Sequence, residues 1–136
     1  MILYTNSVPR TETFWELYTT TGWNREYQIT PDQLYGALLE SRYMVSAYDD
    51  DRLVGFGRVI SDGVLHALIV DLIVLPEYQR QGIGASLLSK LVSHCRGQGV
   101  RDIQLYSAKG QAGFYEKQGF SPRPDDAPGM EYKHAE

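Results

Sequence analysis

Residues 66–75, His-Ala-Leu-Ile-Val-Asp-Leu-Ile-Val-Leu, run apolar almost without a break. A strand wetted on one face alternates apolar and polar side chains, whereas a strand covered on both faces has no reason to. This segment therefore predicts the centre of a sheet with layers above and below it. The next element supplies one cover. From Gly82 the apolar positions Ile83, Leu87, Leu88, Leu91, Val92 and Cys95 recur at helical spacing, and Gly97 and Gly99 then stop the helix.

The rest of the chain alternates elements. Residues 2–5 read as a short strand, and residues 11–20 carry Phe14, Trp15, Leu17 and Tyr18 at helical spacing. Residues 21–28 lack a period and read as a loop. Thr30-Pro31-Asp32-Gln33 is a helix start in which Thr30 caps, Pro31 loses no needed N–H and Gln33 closes a capping box, and this helix should run to Leu38 or Leu39. Strand-like residues 42–48 and 52–60 flank Asp49-Asp50-Asp51, the turn of an antiparallel hairpin, and Asp62-Gly63 makes a second turn. After the long helix come a strand at 101–106, a short helix at 111–118 stopped by Gly119, an extended stretch broken by Pro122 and Pro124, and a last strand at Met130–Lys133. The order predicts a mixed α/β domain spanning residues 1–136.

A formal net charge of -4 argues against nonspecific nucleic-acid or anionic-membrane binding, which relies on excess Lys and Arg. The single cysteine, Cys95, forms no internal disulfide and supplies no multi-thiolate metal site. No stretch approaches the ~18–20 apolar residues of a membrane span, and the N-terminus lacks a signal pattern, so a soluble, cytoplasmic protein is expected. A homodimer is left open.

The chemically informative stretch is Val74-Leu75-Pro76-Glu77-Tyr78-Gln79-Arg80-Gln81-Gly82-Ile83-Gly84-Ala85. A buried strand ends at a proline, and a polar, glycine-containing loop opens a long helix. Such a loop offers unpaired amides at a helix N-terminus, where the dipole favours an anion. Gly82 and Gly84 lack a Cβ that would block a phosphate, and Arg80 adds a charge-assisted contact. The plain alternative is that the glycines merely permit a tight turn. Two nucleotide motifs are excluded: no Gly-Lys-Ser/Thr triplet occurs, and a GxGxxG fingerprint would need glycine at Leu87 directly after the strand.

Gln79-Arg80-Gln81-Gly82-Ile83-Gly84 resembles the cofactor motif [Gln/Arg]-x-x-Gly-x-[Gly/Ala] of the GCN5-related N-acetyltransferase (GNAT) superfamily, and Gly113-Phe114-Tyr115-Glu116-Lys117-Gln118-Gly119-Phe120 resembles its second signature in the right order. The likeness covers residues ~42–133 of the strand-and-helix reading. It implies the acyl-CoA N-acyltransferase fold, a mixed, mostly antiparallel central sheet of six to seven strands flanked by helices, with acetyl-CoA as co-substrate. It further implies that the pantetheine arm lies as an added strand along Leu72, Ile73 and Val74, where strands 70–75 and 101–106 splay. Gln79, Arg80, Gln81, Gly82, Ile83, Gly84 and Ala85 then hold the pyrophosphate. Many members carry an asparagine before the second-signature helix; here Ser107-Ala108-Lys109-Gly110-Gln111 has none, leaving Ser107, Lys109 or Gln111 to substitute.

Tyr115 maps onto the family's proton donor to the departing thiolate. A phenol of reference pKa ~10 suits a thiolate of pKa ~8.5; the alternative is an aromatic packed on its helix. Asp71 is the acidic candidate for relaying a proton from the amine through water, against a carboxylate that merely caps backbone or pairs with a cation. His66 reads as a satisfied core or edge histidine, and Glu77 as solvated. Cys95 lies roughly 16 Å along the helix from Gly84, which favours direct transfer over an acyl-enzyme, and no metal is required. Trp23, Tyr27, Tyr43 and Tyr78 are candidates for the acceptor wall, which suits a small aromatic, polyamine or other cationic amine. The expected function is N-acetyl transfer to a primary amine of a small molecule. The alternatives are a protein lysine or N-terminal acetyltransferase and a non-catalytic acyl-CoA sensor.

Overall fold

Thr30 caps its helix as its sequence requires: its hydroxyl accepts from Gln33 N (3.1 Å) while Gln33 Oε1 accepts from Thr30 N (3.0 Å). Such a reciprocal cap is worth about 1 kcal/mol and fixes the start of α3, Pro31–Leu39. In the computed structural model, which describes residues 1–134, it follows β1 (Ile2–Thr5), α1 (Thr11–Thr19) and a single-turn α2 (Asn24–Tyr27). That turn falls in the segment expected to be a loop. Asn24 closes it, its side chain bonding both N–H and C=O of Ile29, and Gln28 ends it in the left-handed region.

The hairpin β2 (Tyr43–Asp49) and β3 (Arg52–Ser61) turns at Asp50, whose φ is +53°. The second turn is organised by Asp62, whose Oδ1 accepts from the amides of Val64, Leu65 and His66. Then come β4 (His66–Val74), a 3₁₀ turn at Pro76–Tyr78, α4 (Ile83–Gly97), β5 (Asp102–Leu105) and α5 (Ala112–Lys117). The chain divides into two compact units, Met1–Leu105 and Tyr106 onward.

The sheet has order β1-β2-β3-β4-β5, antiparallel up to β4 and parallel between β4 and β5. It is mixed and mostly antiparallel, but it has five strands rather than six to seven. The last expected strand, residues 130–133, is not one. Pro122, Pro124 and Pro128 remove ladder donors ahead of it, and Met130 and Tyr132 are more than four-fifths exposed, so no apolar face is buried to hold a strand in place.

Within the first unit, α1 and α3 cover one face of the sheet. Phe14 meets Phe56 edge-on at 4.6 Å, and both are fully buried with Leu17 and Leu38. Helix α4 covers the other face through Ile83, Leu87, Leu88, Leu91 and Cys95. Its close approach depends on two glycines of β3: a Cβ at Gly55 would sit 3.0 Å from Leu87 and one at Gly57 2.7 Å from Leu91. Among the described residues no helix is long and apolar enough to cross a membrane.

Candidate active site

Strand β4 changes character halfway along. Its parallel pairing with β5 runs from His66–Asp102 to Ile69–Leu105 and stops there, while its pairing with β3 continues to Val74. Leu75 N donates to Val54 O (2.9 Å). In the alternation of an antiparallel strand, the backbone groups of Leu72 and Val74 therefore point to the opposite edge, away from β3.

The break coincides with a bulge. Phe56 pairs with Ile73 and Arg58 with Val70, so Gly57 alone spans Asp71 and Leu72. Asp71 takes up the extra length with φ +54°, a conformation that asparagine and aspartate tolerate better than most residues. Its side chain turns to the α1/α3 face, and Arg58 Nε donates to Asp71 Oδ2 at 2.7 Å. The same guanidinium donates through Nη1 to Ala37 O (3.3 Å) and Ser41 Oγ (3.2 Å) at the end of α3. With the two side chains only 12% and 20% exposed, deleting one partner strands a largely buried charge, at the lower end of roughly 3–5 kcal/mol. Burial raises the Tyr18 phenol above its ordinary value, and the charges of Asp71 and Tyr27 add to the effect.

Beyond Val74 the chain turns through Pro76–Tyr78, and Gln79 Nε2 donates back to Val74 O (3.0 Å). Arg80 and Gly82 both adopt positive φ, +65° and +85°, which turns the chain into α4. Gly82 is the N-cap of α4, and no side chain caps the first turn, so the amides at Ile83, Gly84 and Ala85 are available to an acceptor. A Cβ on Gly82 would meet nothing within 4 Å; only its backbone conformation calls for glycine. Glu77 is held in the loop by Arg52 (3.0 Å), which also lies over the Tyr78 ring, and Tyr78 donates its hydroxyl to Asp49.

In the second unit, Gln111 precedes α5 and Gly119 ends it at φ +98°. Tyr115 packs edge-on against Phe114 (5.1 Å) and Phe120 (6.3 Å), and burial pushes its phenol above the ordinary value.

The wall candidates separate. Trp23 meets Tyr18 edge-on at 6.2 Å on the α1 side, with Tyr27 two-thirds exposed. Tyr43 lies on the α4 face, its ring parallel to His94 at 3.7 Å, so it cannot share a wall with Trp23. His66 is exposed at the strand's start, with Nδ1 3.1 Å from Asp102. Cys95 is buried, which raises its thiol above the ordinary value and leaves little thiolate to react. Sequence reasoning missed Arg58 and Tyr18. The signal for Arg58 was present: an arginine inside Val-Gly-Phe-Gly-Arg-Val-Ile, a strand otherwise apolar, requires a buried acceptor.

Comparison with known proteins places this geometry. The chain is 40% identical over 81 residues to serotonin N-acetyltransferase 2, chloroplastic, of Oryza sativa subsp. japonica, a match covering 60% of this chain and 40% of the rice protein. It is 30% identical over 121 residues to histone acetyltransferase TAP1 of Glycine max, covering 80% and 51%. The chain thus spans about half or less of these curated relatives. Among solved structures, a GNAT-family acetyltransferase from Streptococcus pneumoniae TIGR4 superposes with a TM-score of 0.82 at 32% identity, with both chains covered completely. The PaiA N-acetyltransferase of Thermoplasma acidophilum, solved with coenzyme A, shares the fold (TM-score 0.72, 22% identity, 90% and 91% covered). The sequence profile described as the acetyltransferase (GNAT) family matches residues 9–120, and the chain belongs to that family.

Proposed function

We propose that this chain is an acetyl-CoA-dependent N-acetyltransferase that moves the acetyl group directly onto a primary amine of a small molecule. One observation carries the reading: a strand edge with outward backbone groups at Leu72 and Val74 leads through a short loop into an uncapped, glycine-opened helix start. The edge offers main-chain partners to the amides of a pantetheine arm lying along Leu72, Ile73 and Val74. The helix start offers amide donors and a favourable dipole to a pyrophosphate held by Gln79, Arg80, Gln81, Gly82, Ile83, Gly84 and Ala85. Because the family profile runs from residue 9 to residue 120, we read both units as one functional domain.

In this reading the amine nitrogen bonds to the acetyl carbon, the carbon–sulfur bond breaks, and two protons move. The backbone amide near Val74 polarises the thioester carbonyl. Asp71 accepts the amine's proton through water, and Tyr115 returns a proton to the coenzyme A thiolate. A phenol is protonated at neutral pH, the state a donor needs, and burial of Tyr115 shifts it further the same way.

The rice relative is named for serotonin and the soybean relative for histones, so the names alone do not fix the acceptor. We infer a small arylalkyl or other cationic amine because the Asp71 carboxylate turns to the α1/α3 side of the sheet, the side on which the part-exposed Trp23 ring packs against buried Tyr18. A reducing compartment suits the buried thiol of Cys95. Cytoplasm is our reading, and plastid stroma is the alternative that the relatives' names raise.

The test is thiol release from acetyl-CoA against arylalkylamines, polyamines and lysine peptides, alongside calorimetric binding. Turnover on small amines supports the proposal. Transfer to peptides alone would make it a protein acetyltransferase, and tight acetyl-CoA binding without turnover on any amine would make it a sensor.

A further inference from the structure

Arg58 is an unusual residue for its position. It sits on β3 among Val54, Phe56 and Val59, all fully buried, yet its side chain is charged and only 12% exposed. Its guanidinium reaches three acceptors on separate parts of the fold: Asp71 Oδ2 on the bulge of β4, Ala37 O in the last turn of α3, and Ser41 Oγ just beyond that helix. A planar fork with fixed donor directions joins such acceptors with little freedom, which a lysine ammonium on its flexible stem does not.

We propose that Arg58 is a positioning residue for acetyl transfer: anchored at the end of α3, it holds one carboxylate oxygen of Asp71 so that the other faces the acceptor amine or its relay water. The inference rests on the function proposed above, and adds to it a residue that neither the cofactor motif nor the second signature contains.

The geometry supports this in three ways. The bulge places Val70 and Asp71 on the same face, whereas a regular strand would have sent one of them toward α4. Asp71 is held at φ +54°, so its carboxylate needs an external tether to stay in one place. The guanidinium that bonds Asp71 also reaches Ala37 O and Ser41 Oγ, which puts the carboxylate on the α1/α3 side of the sheet, where its charge adds to the burial that raises the Tyr18 phenol. Because only one hydrogen bond reaches the Asp71 carboxylate among the described residues, Arg58 orients it without occupying both oxygens.

A purely structural Arg58 would matter only for joining α3 to the sheet, and the experiment separates the two roles. Arg58→Lys, Asp71→Asn and the double variant are compared with the full chain. If Arg58 acts through Asp71, Arg58→Lys lowers kcat by ~10–100-fold, the scale of a small misplacement, while the acetyl-CoA KM stays within ~3-fold. In the Asp71→Asn background the same change then costs less than ~3-fold more, because the group it positioned is gone. Losses that simply multiply would overturn the proposal.

A second readout needs no turnover. In protein carrying ¹³C-labelled tyrosine, the Tyr18 ring resonance should move in Arg58→Lys in the same direction as in Asp71→Asn. An unmoved Tyr18 signal in Arg58→Lys refutes the tether. Failure of the wild-type chain to turn over any amine would sink the proposed function instead, with the Tyr18 signal still deciding the tether. Should Arg58→Lys not fold, Ser41→Ala removes one anchor of the guanidinium and should shift the Tyr18 signal by a smaller amount. A Ser41→Ala protein with the wild-type spectrum and rate would overturn the proposal.

Discussion

Gly57 and Leu91 touch so closely that a single methyl group on Gly57 would lie 2.7 Å from Leu91 Cδ1, with Leu72 Cδ1 also at 3.1 Å. Leu91 is fully buried and has nowhere to retreat. Gly57→Ala should therefore destabilise the fold by about 1–3 kcal/mol through overpacking, partly offset by the lower backbone entropy of alanine in the unfolded chain. Denaturant titration with an unchanged m-value would show this; a midpoint at or above the wild type would show that α4 gives way freely.

Gly82 tests the proposed pyrophosphate site. Open space surrounds its Cα, so Gly82→Glu meets no clash and should cost only the roughly 1–2 kcal/mol of a left-handed non-glycine backbone. Acetyl-CoA should nevertheless no longer raise its melting temperature, because the new carboxylate stands at the uncapped helix start. Gly82→Asn, which tolerates positive φ, should retain part of that shift. Full stabilisation of the glutamate variant by acetyl-CoA would refute the placement.

Tyr115→Phe removes one oxygen and keeps the edge-on contacts with Phe114 and Phe120. If Tyr115 is the acid, turnover should fall by ~10²–10⁴-fold with acetyl-CoA affinity intact, and acyl donors with more acidic thiols should lose less. Full turnover in the variant, or joint loss of binding and rate, would show a packing role.

Asp62 predicts a pH dependence of stability. Its carboxyl is held below the ordinary value by the amides of Val64, Leu65 and His66, in that order. A depressed folded pKa means the stabilisation is present above the unfolded value, about 4, and is lost as pH falls through the folded one. Asp62→Ala should thus unfold at lower denaturant than the wild type at pH 7, and the gap should narrow steadily below about pH 4. A gap that stays constant in acid would remove the carboxylate from the turn's account.

Local rules made much of this fold readable. The capping box at Thr30, the turns at Asp50 and Asp62, and the apolar stripe of α4 all depend on residues within a few positions of one another. The missing strand at 130–133 failed for the opposite reason, since pairing depends on a distant partner and on a face to bury. The candidate site divides the same way. The glycine loop and the Gly-Phe-Tyr helix are contiguous patterns, whereas Arg58 and Tyr18 gain meaning only once β3 and α1 are folded against Asp71. Tyr43 and Trp23, alike as aromatic side chains, separate because strand parity turns Tyr43 of β2 toward His94 of α4, whereas Trp23, just ahead of α2, packs against Tyr18 of α1.

The early end of β5 pairing also bears on what the protein must avoid. Exposed strand edges recruit other strands, and cells answer that hazard with short edges, charges and bulges. Between Ile69 and the Pro76 turn the open edge is only a few residues long, and Asp71, bent and charged, breaks it further, leaving Leu72, Ile73 and Val74 in regular register. Three residues fall short of the usual strand of about 5–6, and a short edge is one of the devices that limit strand recruitment. Under the proposed function, the same kink that turns the Asp71 carboxylate also keeps this edge short, so that the stretch read as the seat of the pantetheine arm is a poor template for a neighbouring strand.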